Sequence, residues 1–141
     1  MEAADSSVLL LIAHPDDESM FFVPLLHCLS TKVTTFPDCV HVVCMTNGGT
    51  HREAELKAAL HSIYKIQNIA IFSNEDYPDS PATPWDLQKA SKAVLDYVQQ
   101  HKIGKIYTFD EHGVSGHLNH VSCCRIANLL KIQLQRDQIA E

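Results

Sequence analysis

Hydrophobic positions fall along this chain in two rhythms that take turns. Short, nearly unbroken apolar runs occur at residues 8–12, 41–45, 68–72 and 105–109, and runs without polar alternation predict strands buried on both faces of a parallel sheet. Between them lie stretches with helical spacing. Residues 20–29 are apolar on most faces; residues 52–66 align Leu56, Ala59, Leu60 and Ile63. Residues 85–101 align Leu87, Ala90, Val94, Leu95 and Val98, and from Leu118 to about residue 134 the buried side is Ile126, Leu129 and Leu130. Residues 30–38 read as a loop, Thr46-Asn47-Gly48-Gly49 stops the second strand, and Gly104 marks the end of the third helix. Four strand–helix repeats in this order predict an α/β three-layer sandwich with a mainly parallel, Rossmann-like sheet, in a single domain spanning residues 1–141. No Gly-x-Gly-x-x-Gly follows any strand, so dinucleotide binding has no support.

Chemistry gathers at two strand ends. The first run passes into Ala13-His14-Pro15-Asp16-Asp17-Glu18, where Pro15 blocks strand continuation and the carboxylates suit the first turn of a helix. The fourth run ends in Thr108-Phe109-Asp110, followed by Gly113-Val114-Ser115-Gly116-His117-Leu118-Asn119-His120. A His and an Asp three residues apart on one loop, with a His from another, make a three-ligand set that leaves zinc an open position for water. The Gly-x-x-Gly turn lets the backbone bend tightly enough to aim both later imidazoles inward. The Gly48-Gly49 loop is a further candidate for the rim. The segment 73–84 carries three of the six prolines and is too long and polar for a mere connector.

Composition narrows the partners. The chain is 45% hydrophobic and 20% charged with a net charge of −6, and it has no Lys/Arg block. It therefore lacks the electrostatic footprint of a nucleic-acid binder or of a protein held on an anionic membrane by charge. Five cysteines without a Cys-x-x-Cys argue for a reducing compartment; all five read as small buried residues.

Taken together, Ala-His-Pro-Asp-Asp-Glu at 13–18 and Gly-x-Ser-Gly-His-x-Asn-His at 113–120 resemble the signature of the zinc-dependent N-acetylglucosamine de-N-acetylases of the PIG-L/LmbE family. Asn119, Asp76-Tyr77-Pro78-Asp79 and Trp85-Asp86 look more like the eukaryotic branch, whose substrate is N-acetylglucosaminyl-phosphatidylinositol in GPI-anchor synthesis. The resemblance covers roughly residues 8–130 and implies an LmbE-like fold. It implies Zn2+ held by His14, Asp17 and His120, with Asp16 as general base. His117 would stabilise the oxyanion or protonate the leaving amine, and Asp110 would orient His117 or a ligand. Arg52, Glu55 and Asn119 are the implied substrate contacts, Glu18 a carboxylate that hydrogen-bonds within the site without binding metal, and segment 73–84 a lip of the site. A glycolipid substrate and peripheral membrane contact follow, at the cytoplasmic face of the endoplasmic reticulum.

Departures from the pattern set the alternatives. Residues 1–7 are short and polar where eukaryotic members have a membrane anchor, and loop 46–51 is shorter than theirs. Ser115 stands where bacterial members have an aromatic hydroxyl, and the chain stops at Glu141 where members continue. Two other readings follow: a deacetylase of a soluble amino sugar, or a truncated product that binds metal or a partner without turnover.

Overall fold

The computed structural model describes residues 7–49 and 51–140, with side chains as far as residue 137. The expected polar amino terminus before Ser7, Thr50 in loop 46–51, and Glu141 lie outside the described residues. Strands β1 (Ser7–Ile12), β2 (Val40–Cys44), β3 (Asn68–Ile71) and β4 (Ile103–Tyr107) form one sheet in the order β3-β2-β1-β4, with every pair parallel. The two central strands are buried along almost their whole length, so continuous Val, Leu and Ile suit them on both faces.

The connections then decide where a site can form. Helices α1 (Asp17–Phe21) and α2 (Val23–Lys32) lead from β1 to β2, and α3 (Arg52–Tyr64) leads from β2 to β3. Both crossovers step the same way across the sheet. Helix α4 (Leu87–Gln100) reverses that direction and carries the chain to β4 on the far side of β1. Because such crossovers are right-handed, the reversal puts α4 on the face opposite α2 and α3. A short turn, α5 (Gly113–Gly116), leads into α6 (Leu118–Ala140), which packs on α4 and touches β1. The result is the α/β sandwich expected from the pattern. Its strand order reverses between β1 and β4, the switch point that opens a cleft beyond the strands' carboxyl ends.

Several local features differ from the expected ones. Residues 20–29 are not one helix: the chain breaks at Phe22, because Pro24 has no N–H to donate and is accepted only in the first turn of α2. The fourth strand begins two residues earlier than expected, and Thr108 instead sends its hydroxyl to Leu11 O at 2.8 Å. Lys102, at φ +53°, makes the left-handed turn expected of Gly104, which lies within β4 beside an irregularity in its register with β1. Leu56, Leu60, Ala90, Val94, Val98, Ile126 and Leu130 are buried as expected, whereas Ile63 and Leu129 are exposed at the margins of their apolar stripes. Helix α6 continues past residue 134 to Ala140. Cys39, Cys44 and Cys123 are buried, but Cys28 is exposed, and all five thiols are free. Among the described residues no helix is long and apolar enough to cross a membrane.

Candidate metal centre

The turn after β1 organises the first half of the site. Pro15 ends the strand, and the N–H groups of Asp16 and Asp17 both return to His14 O at 2.9 and 3.1 Å. Asp17 thereby swings back under the strand end, where its Oδ2 accepts from the N–H of Ala13 at 3.0 Å and of His14 at 2.8 Å. The Thr46–Gly49 loop buttresses this turn. Thr46 donates both its N–H and its hydroxyl to Ala13 O. Gly48, at φ +63°, lies so close that a Cβ there would sit 2.8 Å from Pro15 Cδ.

The second half hangs on the turn after β4. Asp110 Oδ1 accepts from the N–H of His112 at 3.0 Å and of Val114 at 3.1 Å, tying down a turn in which Val114 is held at φ +68°. A branched residue there is strained. Gly113, also at positive φ, lets α6 approach: a Cβ would meet His120 Cβ at 2.9 Å and Val121 N at 3.0 Å. Phe109 stacks on the His120 ring with centroids 3.9 Å apart, and Phe21 closes in edge-on at 5.5 Å.

The two halves meet through paired imidazoles. His14 Nδ1 and His120 Nε2 face each other at 3.2 Å, and Asp17 Oδ1 lies 3.2 Å from the same His120 nitrogen. His120 Nδ1 is 3.1 Å from Gly113 O, and a carbonyl only accepts, so Nδ1 carries a proton and in the neutral ring Nε2 is the free nitrogen. His14 Nε2 is 3.2 Å from Asn119 Oδ1, so in the neutral ring its Nδ1 is the free nitrogen. Two ring nitrogens turned towards each other beside a carboxylate offer a cation three ligand atoms. Two nitrogens bound tetrahedrally at about 2.0 Å stand roughly 3.3 Å apart, close to the separation seen here. Among the described residues, His14, Asp17 and His120 are the one His/Cys/Asp/Glu group that could hold a metal ion, and the donor set fits it.

Charge is arranged to match. Burial disfavours ionised Asp17, but its contacts with the His120 and His14 rings and with the His14 backbone N–H prevail and hold its carboxyl well below the usual range. Burial also lowers the pKa of His14, and there too Asp17, Asn119 and Asp79 outweigh it and leave it raised. His117 goes the other way, lowered by burial and then by the nearby His14 and His120. Its Nδ1 accepts the Asn119 N–H at 3.1 Å, so the neutral ring presents Nε2–H as a donor. Buried Glu18 is pushed up by desolvation, and its Oε1 accepts only from Ser19.

The remaining expected residues divide into two groups. Asp16 lines a cavity of about 300 Å³ with His14, Asp17, Arg52, Asp79 and His117, and its carboxylate pairs with Arg52 Nη2 at 2.8 Å. Among the described residues Asp110 makes no hydrogen bond to His117 or to a candidate ligand; it acts on the backbone of the turn that carries His117 and His120. Glu55 is exposed on α3 and does not line the cavity. Asn119 has no exposed surface, and its Oδ1 also accepts the Ser80 N–H at 3.1 Å, so it fastens segment 73–86 to the centre. Asp79, 3.3 Å from His14 Nε2, and Phe109, stacked on His120, were not among the expected site residues. A larger groove of about 400 Å³, walled by Val98, Ile106, Leu130 and Leu134, lies away from this chemistry.

Fold and donor set together define a parallel α/β protein with a His–Asp–His group that could hold a metal ion at its topological switch point. A family model described as "PIG-L: GlcNAc-PI de-N-acetylase" matches residues 9–130, and the chain belongs to that family. It is 38% identical over 127 residues to a Schizosaccharomyces pombe protein named probable N-acetylglucosaminyl-phosphatidylinositol de-N-acetylase, covering 85% of this chain and 50% of that one. A Bos taurus protein named N-acetylglucosaminyl-phosphatidylinositol de-N-acetylase is 37% identical over 123 residues, covering 83% and 47%. Among solved structures, N,N'-diacetylchitobiose deacetylase from Pyrococcus horikoshii shares the fold with a TM-score of 0.67 at 18% identity, covering 89% of this chain and 49% of that one. The chain spans about half the length of the relatives it matches.

Proposed function

We propose that this chain carries the catalytic centre of a metal-dependent amidohydrolase that removes the acetyl group from N-acetylglucosaminyl-phosphatidylinositol. The observation that carries the proposal is the convergence of His14 Nδ1 and His120 Nε2 with the Asp17 carboxylate at the switch point. His14, Asp17 and His120 would hold the metal, with zinc the ion expected from the family resemblance. When bound, zinc supplies Lewis acidity towards the acetyl carbonyl and lowers the pKa of water to about 7.

The chain's own groups account for the rest. Asp16 takes the proton of the attacking water, and Arg52 holds its carboxylate in place. His117, neutral near pH 7 because its pKa is lowered, aims Nε2–H into the cavity as a donor for the developing oxyanion. The water oxygen joins the acetyl carbon, the carbon–nitrogen bond breaks, and the amine leaves with the proton that Asp16 took up. A substrate with a lipid tail brings this cavity to a membrane surface, and the cytoplasmic face of the endoplasmic reticulum is the expected location.

The test is acetate release from N-acetylglucosaminyl-phosphatidylinositol by purified chain, with zinc removed by chelation and then restored. Release is expected only with metal, and Asp16→Asn is expected to lower kcat by about 10²–10⁴ while zinc content stays the same. Equal release from soluble N-acetylglucosamine would shift the substrate to the soluble sugar. A folded, zinc-loaded chain that releases nothing from either would overturn the activity.

A further inference from the structure

The imidazoles that face each other at the centre are each steered by the partner of their second nitrogen, and the two partners differ. His120 leans on a backbone carbonyl, Gly113 O. His14 turns Nε2 towards two side-chain oxygens, Asn119 Oδ1 at 3.2 Å and Asp79 Oδ1 at 3.3 Å. The Asn119 atom is fixed as oxygen because it also accepts the Ser80 N–H, which can only donate. Asp79 immediately precedes Ser80, and their segment is itself anchored. Trp85 Nε1 donates to Pro78 O at 2.7 Å, Asp86 N–H to Asp76 O at 2.7 Å, and Tyr77 and Trp85 are buried.

We infer that Asp79 is a positioning residue of the metal centre: its carboxylate, 3.3 Å from His14 Nε2 and beside the Asn119 Oδ1 that accepts from that nitrogen, supports the tautomer that offers Nδ1 to the metal. A carboxylate behind a ligating imidazole sets the ring's orientation and raises its basicity, and losing such a partner costs 10–100-fold in metal affinity. With Asn119 still accepting from the same N–H, the loss falls at the lower end of that range. The inference rests on the metal reading of the site and not on the identity of the substrate.

The experiment compares zinc affinity, by competition with a chromophoric chelator, and the visible spectrum of the cobalt-substituted protein, for the parent, Asp79→Ala and Asp79→Asn. Circular dichroism checks the fold. Asp79→Ala is expected to bind zinc about 10-fold more weakly and to shift the cobalt bands, and Asp79→Asn, which keeps an acceptor oxygen, to recover much of the loss. If Asp79→Ala binds zinc as tightly as the parent with the same cobalt spectrum, and only KM rises, Asp79 is a substrate contact and the inference is wrong. Both readouts are taken without substrate. A chain that binds zinc but releases no acetate therefore sinks the activity alone, whereas a parent chain that binds no zinc sinks both readings.

Discussion

Two clusters of imidazoles occupy opposite edges of the same sheet. At the carboxyl edge, His14, His117 and His120 have ring centroids 4.7, 4.9 and 5.1 Å apart. At the amino edge, His41 and His101 are 4.9 Å apart, and Tyr97 sends its hydroxyl to within 2.8 Å of His41 Nδ1. The spacings match, yet the titrations diverge. Burial lowers the pKa of His41 with only His101 adding to the effect, while at His14 the same burial is overcome by Asp17, Asn119 and Asp79. Closeness of imidazoles therefore does not by itself offer a metal a site. A carboxylate between the rings adds the third ligand atom, and acceptors behind them favour the tautomers that turn free nitrogens inward.

Removing the carboxylate breaks that contrast most completely. Asp17→Ala leaves two facing imidazoles, much like the amino-edge cluster, and is expected to weaken zinc binding by more than about 100-fold and to abolish turnover; metal content after dialysis checks it. Gly113→Ala attacks the centre through the backbone. The left-handed φ and the overlap with His120 Cβ and Val121 N predict a loss of about 2–4 kcal/mol in chemical denaturation, together with weaker zinc binding. At the other edge, Tyr97→Phe removes one hydrogen bond and is expected to cost about 1 kcal/mol with no change in zinc affinity.

The smallest expected effect is one of pH. A His whose folded pKa is depressed binds fewer protons in the folded than in the unfolded state, so stability is lost as pH falls below about 6.5. The metal-free protein should lose less stability between pH 7.5 and pH 5.5 in His41→Phe than in the parent. His14, shifted in the opposite sense, is common to both and cancels. Equal losses in the two proteins would show that His41 is not the group that titrates.

Much of this was readable along the chain because the relevant signals are local. The apolar runs of β1 and β2 needed no partner to be recognised, and the strand ends carrying His14, Asp16, Asp17, His117 and His120 announced themselves by residue type and spacing. The local signal said less where a neighbour in space decides what a residue does. Lys102 took the left-handed turn that Gly104 was expected to make, and Gly104 lies within β4 at the point where its register with β1 shifts. Asp110, next to a histidine motif, spends its oxygens on the N–H groups of His112 and Val114. Asn119 lies between two imidazoles in the chain, but helix geometry turns it inward, against Ser80 and His14.

The sequence alone determined the alternation of strands and helices, the turn at Pro15, and the set of titratable groups available at two strand ends. Helix and strand periods, proline's missing N–H and glycine's freedom at positive φ operate within a few residues. Only the tertiary structure decided that His14 would meet His120, 106 positions away, and which nitrogen each would offer. That depends on β4 crossing to the far side of β1, on Phe109 stacking against His120, and on Gly113, Asn119 and Asp79 standing behind the rings. Such contacts join residues through packing at long range, and no local period along the chain encodes them.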